Sequence, residues 1–254
     1  MTEPTKRFSN RVEYYLKYRP GYPPAIIELL RAECNLTPAS VVADLGCGTG
    51  FLARLFLDHG NRVFGVEPNR EMRTAGEQLL GHDPNFTSIA TTAESTTLPD
   101  SSIDFVTAGQ AFHWFKPDLT TAEFQRILKP AGWVVLVWNE RQTDSSPFLA
   151  AYEQLLRRYV LDYKIVTHTN VGDSRLTALF GRGLKEATFA NAQSFDFEGI
   201  KGRLLSSSYA PLAGHPQHQP MLAELQAIFR THQLDGRIEF KYTTHVYYCQ
   251  LNVG

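Results

Sequence analysis

The stretch Val42-Ala43-Asp44-Leu45-Gly46-Cys47-Gly48-Thr49-Gly50 decides the fold. The apolar run Val41–Ala43 predicts a buried strand, and the acid Asp44 closes it. Three glycines then alternate with small residues, and Phe51-Leu52-Ala53-Arg54-Leu55-Phe56-Leu57 carries the apolar spacing of a helix. Strand, glycine loop and helix in that order bring backbone very close to a nucleotide-like ligand. Glycine is needed there because a Cβ would block the ligand or forbid the dihedrals.

The spacing narrows the ligand. A dinucleotide loop places its third glycine three residues after the second, and that position holds Phe51. A phosphate loop ends in Gly-Lys-Ser/Thr, which is absent. The Asp44 carboxylate would repel a pyrophosphate and attract a cationic amine. A ligand with a nucleoside end and a positive end suits the loop, and S-adenosylmethionine has an adenosine, a sulfonium and an ammonium. The segment resembles motif I of the class I S-adenosylmethionine-dependent methyltransferases in its D-x-G-x-G-x-G form, and more broadly the type 11, small-molecule branch of that family.

A second acid fits the resemblance. Arg62-Val63-Phe64-Gly65-Val66-Glu67 predicts the next strand, with Glu67 at its end, followed by Pro68-Asn69 at a helix start. Glu67 comes roughly 20 residues after the loop, the spacing at which an acid meets a ribose. A carboxylate can accept from both ribose hydroxyls. Read alone, Glu67 is a solvated strand-end acid; read after this loop, the ribose role is favoured. The third element is Ala93-Glu94, then Leu98-Pro99-Asp100, then Ser102-Ile103-Asp104-Phe105-Val106. The resemblance places Ala93 and Glu94 against adenine, while an exposed loop acid is the plainer reading of Glu94. The implied cofactor set is Asp44, Gly46, Cys47, Gly48, Gly50, Glu67, Pro68, Ala93, Glu94 and Gln110, with S-adenosylmethionine as the cofactor.

Bulk properties bound the rest. The chain has 254 residues, 43% hydrophobic and 20% charged, with a formal net charge of −1. These are ordinary values for a globular protein, and give no basic footprint for nucleic acid. Cys34, Cys47 and Cys249 have no paired spacing, so neither a disulfide framework nor a zinc site is expected. Cys47 reads as a small filler of the loop. Met1–Asn10 lacks the apolar core of a secretory signal. No apolar run reaches the roughly 18 residues of a membrane span, so a cytoplasmic setting without membrane or nucleic-acid partners is expected. His215-Pro216-Gln217-His218 has a metal-like spacing but no partner nearby, and reads as a surface loop with no metal.

Along the chain, Phe8–Tyr18 predicts a short aromatic helix stopped by Arg19-Pro20-Gly21, and Pro23-Pro24 open a second helix through Cys34. Further helices are expected over Phe51–His59, ending at Gly60, from Pro68-Asn69 to Leu80, and over Asp118–Leu128. Strands are expected at Phe86–Ala90, Phe105–Ala108 and Trp133–Trp138, the last almost wholly apolar, as a central parallel strand should be. Beyond residue 139 the alternation breaks. Helices are expected over 147–163, Glu198–Ser207 and Met221–His232, irregular chain over 164–182, a strand over Lys185–Ala192 and a long last strand over Ile238–Leu251.

This β-α alternation predicts an α/β fold with a doubly wound sheet. The resemblance makes it a mostly parallel, seven-stranded sheet with an antiparallel last strand, plus an N-terminal helical lid and a helical cover inserted late in the chain. The whole chain is then one domain, with residues 1–35 as lid and 139–236 as cover. The sheet alone leaves a methyl group exposed, so these regions are expected to bury the acceptor. Tyr15 and Arg19, with Tyr14, Tyr18, Pro20 and Tyr22, are candidate lid residues. Tyr15-x-x-x-Arg19-Pro20 recurs near the start of small-molecule relatives, and also reads as a helix packing aromatics on the sheet edge.

Gln110-Ala111-Phe112-His113-Trp114-Phe115 follows the fourth strand, at the face where strand-end loops carry function. The family places its acceptor residues here. Phe112, His113 and Trp114 are expected to line an apolar pocket with one polar handle; aromatic faces also favour a sulfonium. His113 is either a general base or a pocket-shaping residue. The implied activity is methyl transfer to a small-molecule acceptor by in-line displacement. The readings set against it are an NAD-dependent oxidoreductase, which the glycine spacing disfavours, and a non-catalytic S-adenosylmethionine-binding protein.

Overall fold

The computed structural model describes residues 12–160, 176, 180–207 and 209–251. The expected beginning of the first helix at Phe8 and most of the expected irregular chain over 164–182 lie outside these residues.

The first part of the chain alternates as the apolar pattern requires. Helices α1 (Val12–Tyr18) and α2 (Ala25–Cys34) precede β1 (Val41–Leu45), α3 (Phe51–Asp58), β2 (Arg62–Val66), α4 (Arg70–Leu80) and β3 (Phe86–Ile89). Then come β4 (Ile103–Gly109), α5 (Pro117–Ile127) and β5 (Leu128–Arg141). The later part contains α6 (Pro147–Tyr159), β6 (Lys185–Phe195), α7 (Phe197–Leu205), α8 (His218–His232) and β7 (Ile238–Gln250).

The seven strands form one sheet in the order β3-β2-β1-β4-β5-β7-β6. The first five run parallel to one another. The last strand, β7, runs antiparallel to both β5 and β6. Alternation along each strand divides the core between two faces. On β1, Val42 belongs to the apolar cluster under α2 and α3, while Ala43 and Leu45 belong to the cluster that includes Phe124 and Ile127 of α5. A third cluster joins α6, α7 and α8 to the far end of β7 through Tyr152, Ile200, Leu225 and Phe240. That cluster builds the late cover around an antiparallel strand.

Three elements run longer than their apolar runs predict. Strand β5 continues past Trp138 to Arg141 because β7 still offers partners, down to Arg141 opposite Tyr242. It also begins before the expected Trp133, since Leu128 pairs with Ile103 ahead of an irregularity. Strand β6 continues to Phe195, opposite Ile238. Helix α8 starts at His218, three residues before Met221, with Pro220 tolerated in its first turn. The expected surface loop through His218 is therefore corrected: that residue is buried, and its Nδ1 lies 2.8 Å from the Pro211 carbonyl. No helix among the described residues is long and apolar enough to cross a membrane.

The segment between α1 and α2 is tied to the sheet by side-chain amides. The Gly21 carbonyl accepts from Asn139 Nδ2 at 3.1 Å and from Asn191 Nδ2 at 3.0 Å. Asn139 Oδ1 in turn accepts from Thr244 Oγ1 at 2.5 Å. Strands β5, β6 and β7 thus fix the chain where it leaves α1 for α2.

Candidate active site

Asp44 stands in register with Thr107 on the neighbouring strand, so both side chains share a face. The Thr107 hydroxyl donates to Asp44 Oδ1 at 2.9 Å. The carboxyl is only 1% exposed. Its Oδ2 is buried without a partner at full hydrogen-bonding geometry, although the Cys47 thiol and the Ala53 N–H also favour the anion. Burial outweighs these contacts and pushes the carboxyl up to about 7. Asp44 therefore lies beneath the loop rather than on the cleft wall.

The glycine loop folds over this acid. Gly46 and Cys47 both donate their amides to the Val66 carbonyl, at 2.9 and 3.1 Å. Gly46 has φ +66°, and a Cβ there would stand 2.6 Å from that of Ala111. Glycine is thus what lets the β1 loop approach the β4 loop. Gly48 faces the cleft, whereas Gly50 caps α3 against Leu80, away from it. Cys47 packs against the α2 and α3 cluster and is not part of the wall.

Glu67 follows β2 and lines the cleft. Its Oε2 accepts from Gly48 N at 2.9 Å and its Oε1 from Asn69 N at 2.8 Å. Burial raises its carboxyl above the ordinary range, against those two amides. Each oxygen keeps a lone pair for a ligand. Asn69 caps α4, its Oδ1 accepting from Met72 N at 2.8 Å. Pro68, Asn69 and Met72 share the wall with Glu67. Ala93 and Glu94 also line the cleft. Lys116 N donates to Glu94 Oε1 at 3.0 Å. Partial burial pushes the Glu94 carboxyl up, but the amide of Lys116 and the Thr92 hydroxyl together hold it below its ordinary value.

The wall continues after β4. Gln110 has φ +54° and lines the cleft. Its Nε2 donates to the Asn139 carbonyl at 2.9 Å, which leaves Oε1 buried and without a partner. A short 3-10 turn, Phe112–Trp114, then places His113 and Trp114 on the wall, their ring centroids 4.6 Å apart. Phe112 points the other way. It is 1% exposed and packs on Phe115, Phe124 and Phe180 at 5.6 to 6.4 Å. The expected substrate contact at Phe112 is therefore corrected to a core contact, and Phe115 takes its place on the wall.

Helix α1 and the residue after it add to the wall. Tyr15 and Arg19 both line the cleft. The Tyr15 ring lies 6.1 Å from that of Phe51, and the Arg19 guanidinium sits 5.2 Å over Tyr15. Arg19 Nη2 donates to the Ser206 carbonyl at 3.2 Å, which ties α1 to the end of α7. The cleft encloses about 1140 Å³ of empty space including its open mouth.

Sequence reasoning missed Thr107, Met72, Thr92 and Tyr209. Thr107 was readable in principle as the residue level with Asp44 on an adjacent strand. Tyr209, which lines the cleft from the chain after α7, gave no local signal.

Comparison with known proteins bears on the family and the fold. A family profile described as a methyltransferase domain matches residues 43–136. An uncharacterised methyltransferase-like protein of Schizosaccharomyces pombe is 34% identical over 227 residues, covering 89% of this chain and 87% of that one. Another methyltransferase of the same yeast is 28% identical over 249 residues, covering 95% and 96%. Among solved structures, a candidate type II methyltransferase from Anaeromyxobacter dehalogenans superposes with a TM-score of 0.71 at 24% identity, over 92% of this chain and 98% of that one. The Rossmann-like sheet and its cleft define the class, an S-adenosylmethionine-dependent methyltransferase of class I. The chain belongs to that family, with the type 11 methyltransferase domain at its centre.

The residues present fit the cofactor. Glu67 has two carboxylate oxygens with capacity left for hydroxyls, Gln110 Oε1 is a buried acceptor with no partner among the described residues, and Gly48 brings backbone to the cleft wall without a Cβ.

Proposed function

We propose that this chain transfers a methyl group to a small-molecule acceptor held between Arg19, Tyr15, His113 and Trp114. The observation that carries this reading is a single continuous cleft. Glu67, Gly46 and Gly48 of the loop, and Tyr15 and Arg19 at α1 all line it together with His113 and Trp114. Bound S-adenosylmethionine supplies an activated methyl, which leaves sulfur for an acceptor atom aligned opposite it.

The protein's own part is alignment and exclusion of water. Glu67 holds the ribose, with Pro68 beside it. Ala93 and Glu94 meet the base. Gln110 Oε1 and the buried charge of Asp44 favour the ammonium, and Gly46 and Gly48 let the ligand reach the backbone. His113 takes the proton when the acceptor is a hydroxyl or phenol. On this reading the whole chain works as one domain, with residues 1–35 as its lid and 139–236 as its cover. It acts on a diffusing metabolite in the cytoplasm, with no nucleic-acid or membrane partner.

Incubation with methyl-labelled cofactor and a panel of acids, phenols, alcohols and amines tests the proposal. Transfer of label to at least one small compound is expected. Cofactor binding with no transfer to any of them would favour a binding protein instead, and preference for NAD over S-adenosylmethionine in calorimetry would favour an oxidoreductase.

A further inference from the structure

Two arginines, Arg19 on the cleft wall and Arg203 behind it, meet no carboxylate among the described residues. Arg203 of α7 is 6% exposed. Its Nε donates to the Tyr242 hydroxyl at 2.8 Å and its Nη1 to Ser207 Oγ at 3.2 Å. Its guanidinium lies 5.4 Å from the Phe240 ring and 5.8 Å from that of Tyr242. Arg19 donates to the carbonyl of Ser206, the residue next to Ser207, and its Nε is buried without a partner. Among the described residues neither arginine meets an acid. The three other described arginines with comparable partial burial all do: Arg73 pairs with Glu77, Arg126 with Glu123 and Asp100, and Arg141 with Glu153.

Two like charges brought together away from water are unfavourable unless an anion joins them. Their mutual influence is visible in Arg19, whose charged form is disfavoured by burial and then by Arg203. Burial disfavours the charged form of Arg203 as well, but Tyr242, Tyr152 and Tyr209 outweigh it; none of these neighbours is a carboxylate. An arginine carries five N–H donors in a flat fork suited to a carboxylate, and among the described residues one of those of Arg19 is used.

Resting on the methyl-transfer reading of this cleft, we propose that the acceptor is a small organic acid. Its carboxylate is held by Arg19 on the cleft wall, and Arg203 behind it supplies the second positive charge. Only Arg19 reaches the cleft wall. One singly charged carboxylate fits that geometry better than a doubly charged phosphate ester. Both arginines come from the segments that flank the core sheet, so the acceptor class is set by the lid and the cover rather than by the glycine loop.

Calorimetry on the full chain saturated with S-adenosylhomocysteine separates this proposal from the reading beneath it. The probes are a set of aliphatic and aromatic monocarboxylic acids, their primary amides, and matched phosphate monoesters. At least one acid is expected to bind roughly tenfold or more tightly than its amide, as a charge-assisted contact implies. Arg19→Gln should abolish that preference while S-adenosylhomocysteine affinity and circular dichroism stay near wild type. Arg19→Lys, which keeps the charge but loses the fork, should retain part of it.

Equal binding of acids and amides, tighter binding of phosphate esters, or an acid preference that survives Arg19→Gln would overturn the carboxylate site. Acid binding lost in Arg19→Gln, with no methyl transfer to any acid, would uphold the site and reject the methyl-transfer reading. Methylation of neutral acceptors at a rate indifferent to Arg19→Gln would do the reverse.

Discussion

The Thr107 hydroxyl donates to Asp44 Oδ1 at 2.9 Å and joins β4 to β1 beneath the glycine loop. That contact holds a carboxylate in a place where burial alone would expel its charge. The protein keeps the acid although it costs stability in the ligand-free state, and a cationic ligand above the loop gives the cost a purpose.

The cost has a pH window. An aspartate in the unfolded chain ionises near 3.8, and Asp44 in the folded chain near 7. Between those values the folded state holds a proton that the unfolded state has released, so stability falls as pH rises through the window and levels above it. Asp44→Asn removes that dependence. Thermal melts should show the variant more stable than wild type at pH 8, with the gap narrowing towards pH 5. Its affinity for S-adenosylmethionine at pH 8 should fall roughly ten- to a hundredfold.

Glu67 offers a different test because both of its oxygens already accept backbone amides. Glu67→Gln keeps one acceptor and turns the other into a donor facing an N–H. Titration calorimetry should show S-adenosylhomocysteine affinity reduced roughly ten- to a hundredfold, with a lower melting temperature. Unchanged affinity in a folded variant would remove Glu67 from the ribose role.

His113 divides the acceptor chemistries. If it takes a proton from a hydroxyl, His113→Asn should slow single-turnover transfer about a hundredfold, with cofactor affinity near wild type. The wild-type rate should then rise with pH through the histidine range. A carboxylate that is itself methylated needs no base, and predicts a flat profile above pH 6 with a modest effect of the substitution.

The fit of α1 on α7 is testable at Gly202, where a Cβ would collide with the Tyr18 ring. Gly202→Ala should lower stability by about 1–3 kcal/mol, the usual cost of overpacking, and displace α1. The acceptor KM is then expected to rise while S-adenosylhomocysteine affinity, read by calorimetry, changes little.

The core sheet was legible because each strand from β1 to β5 carries its own apolar run and each turn its own glycine, proline or acid. Asp44 sits near the end of β1, Glu67, Ala93 and Gln110 follow strands, and strand ends are readable. Phe112 was misplaced because a 3-10 turn rotates neighbouring side chains by about a third of a circle each, so aromatic content could not say which ring faced the core. Thr107, Arg203 and Tyr209 depend on pairings across tens of residues. Arg203 in particular reads as an ordinary helix-surface arginine until the absence of a carboxylate around it is seen.

A crystal structure with S-adenosylhomocysteine tests the central claim most directly. The account predicts both ribose hydroxyls within hydrogen-bond distance of the Glu67 carboxylate, the ammonium at Gln110 Oε1, and the sulfur facing the space bounded by Tyr15, Arg19 and His113. A sulfur turned away from α1, or a product bound outside the cleft between Glu67 and Arg19, would contradict it.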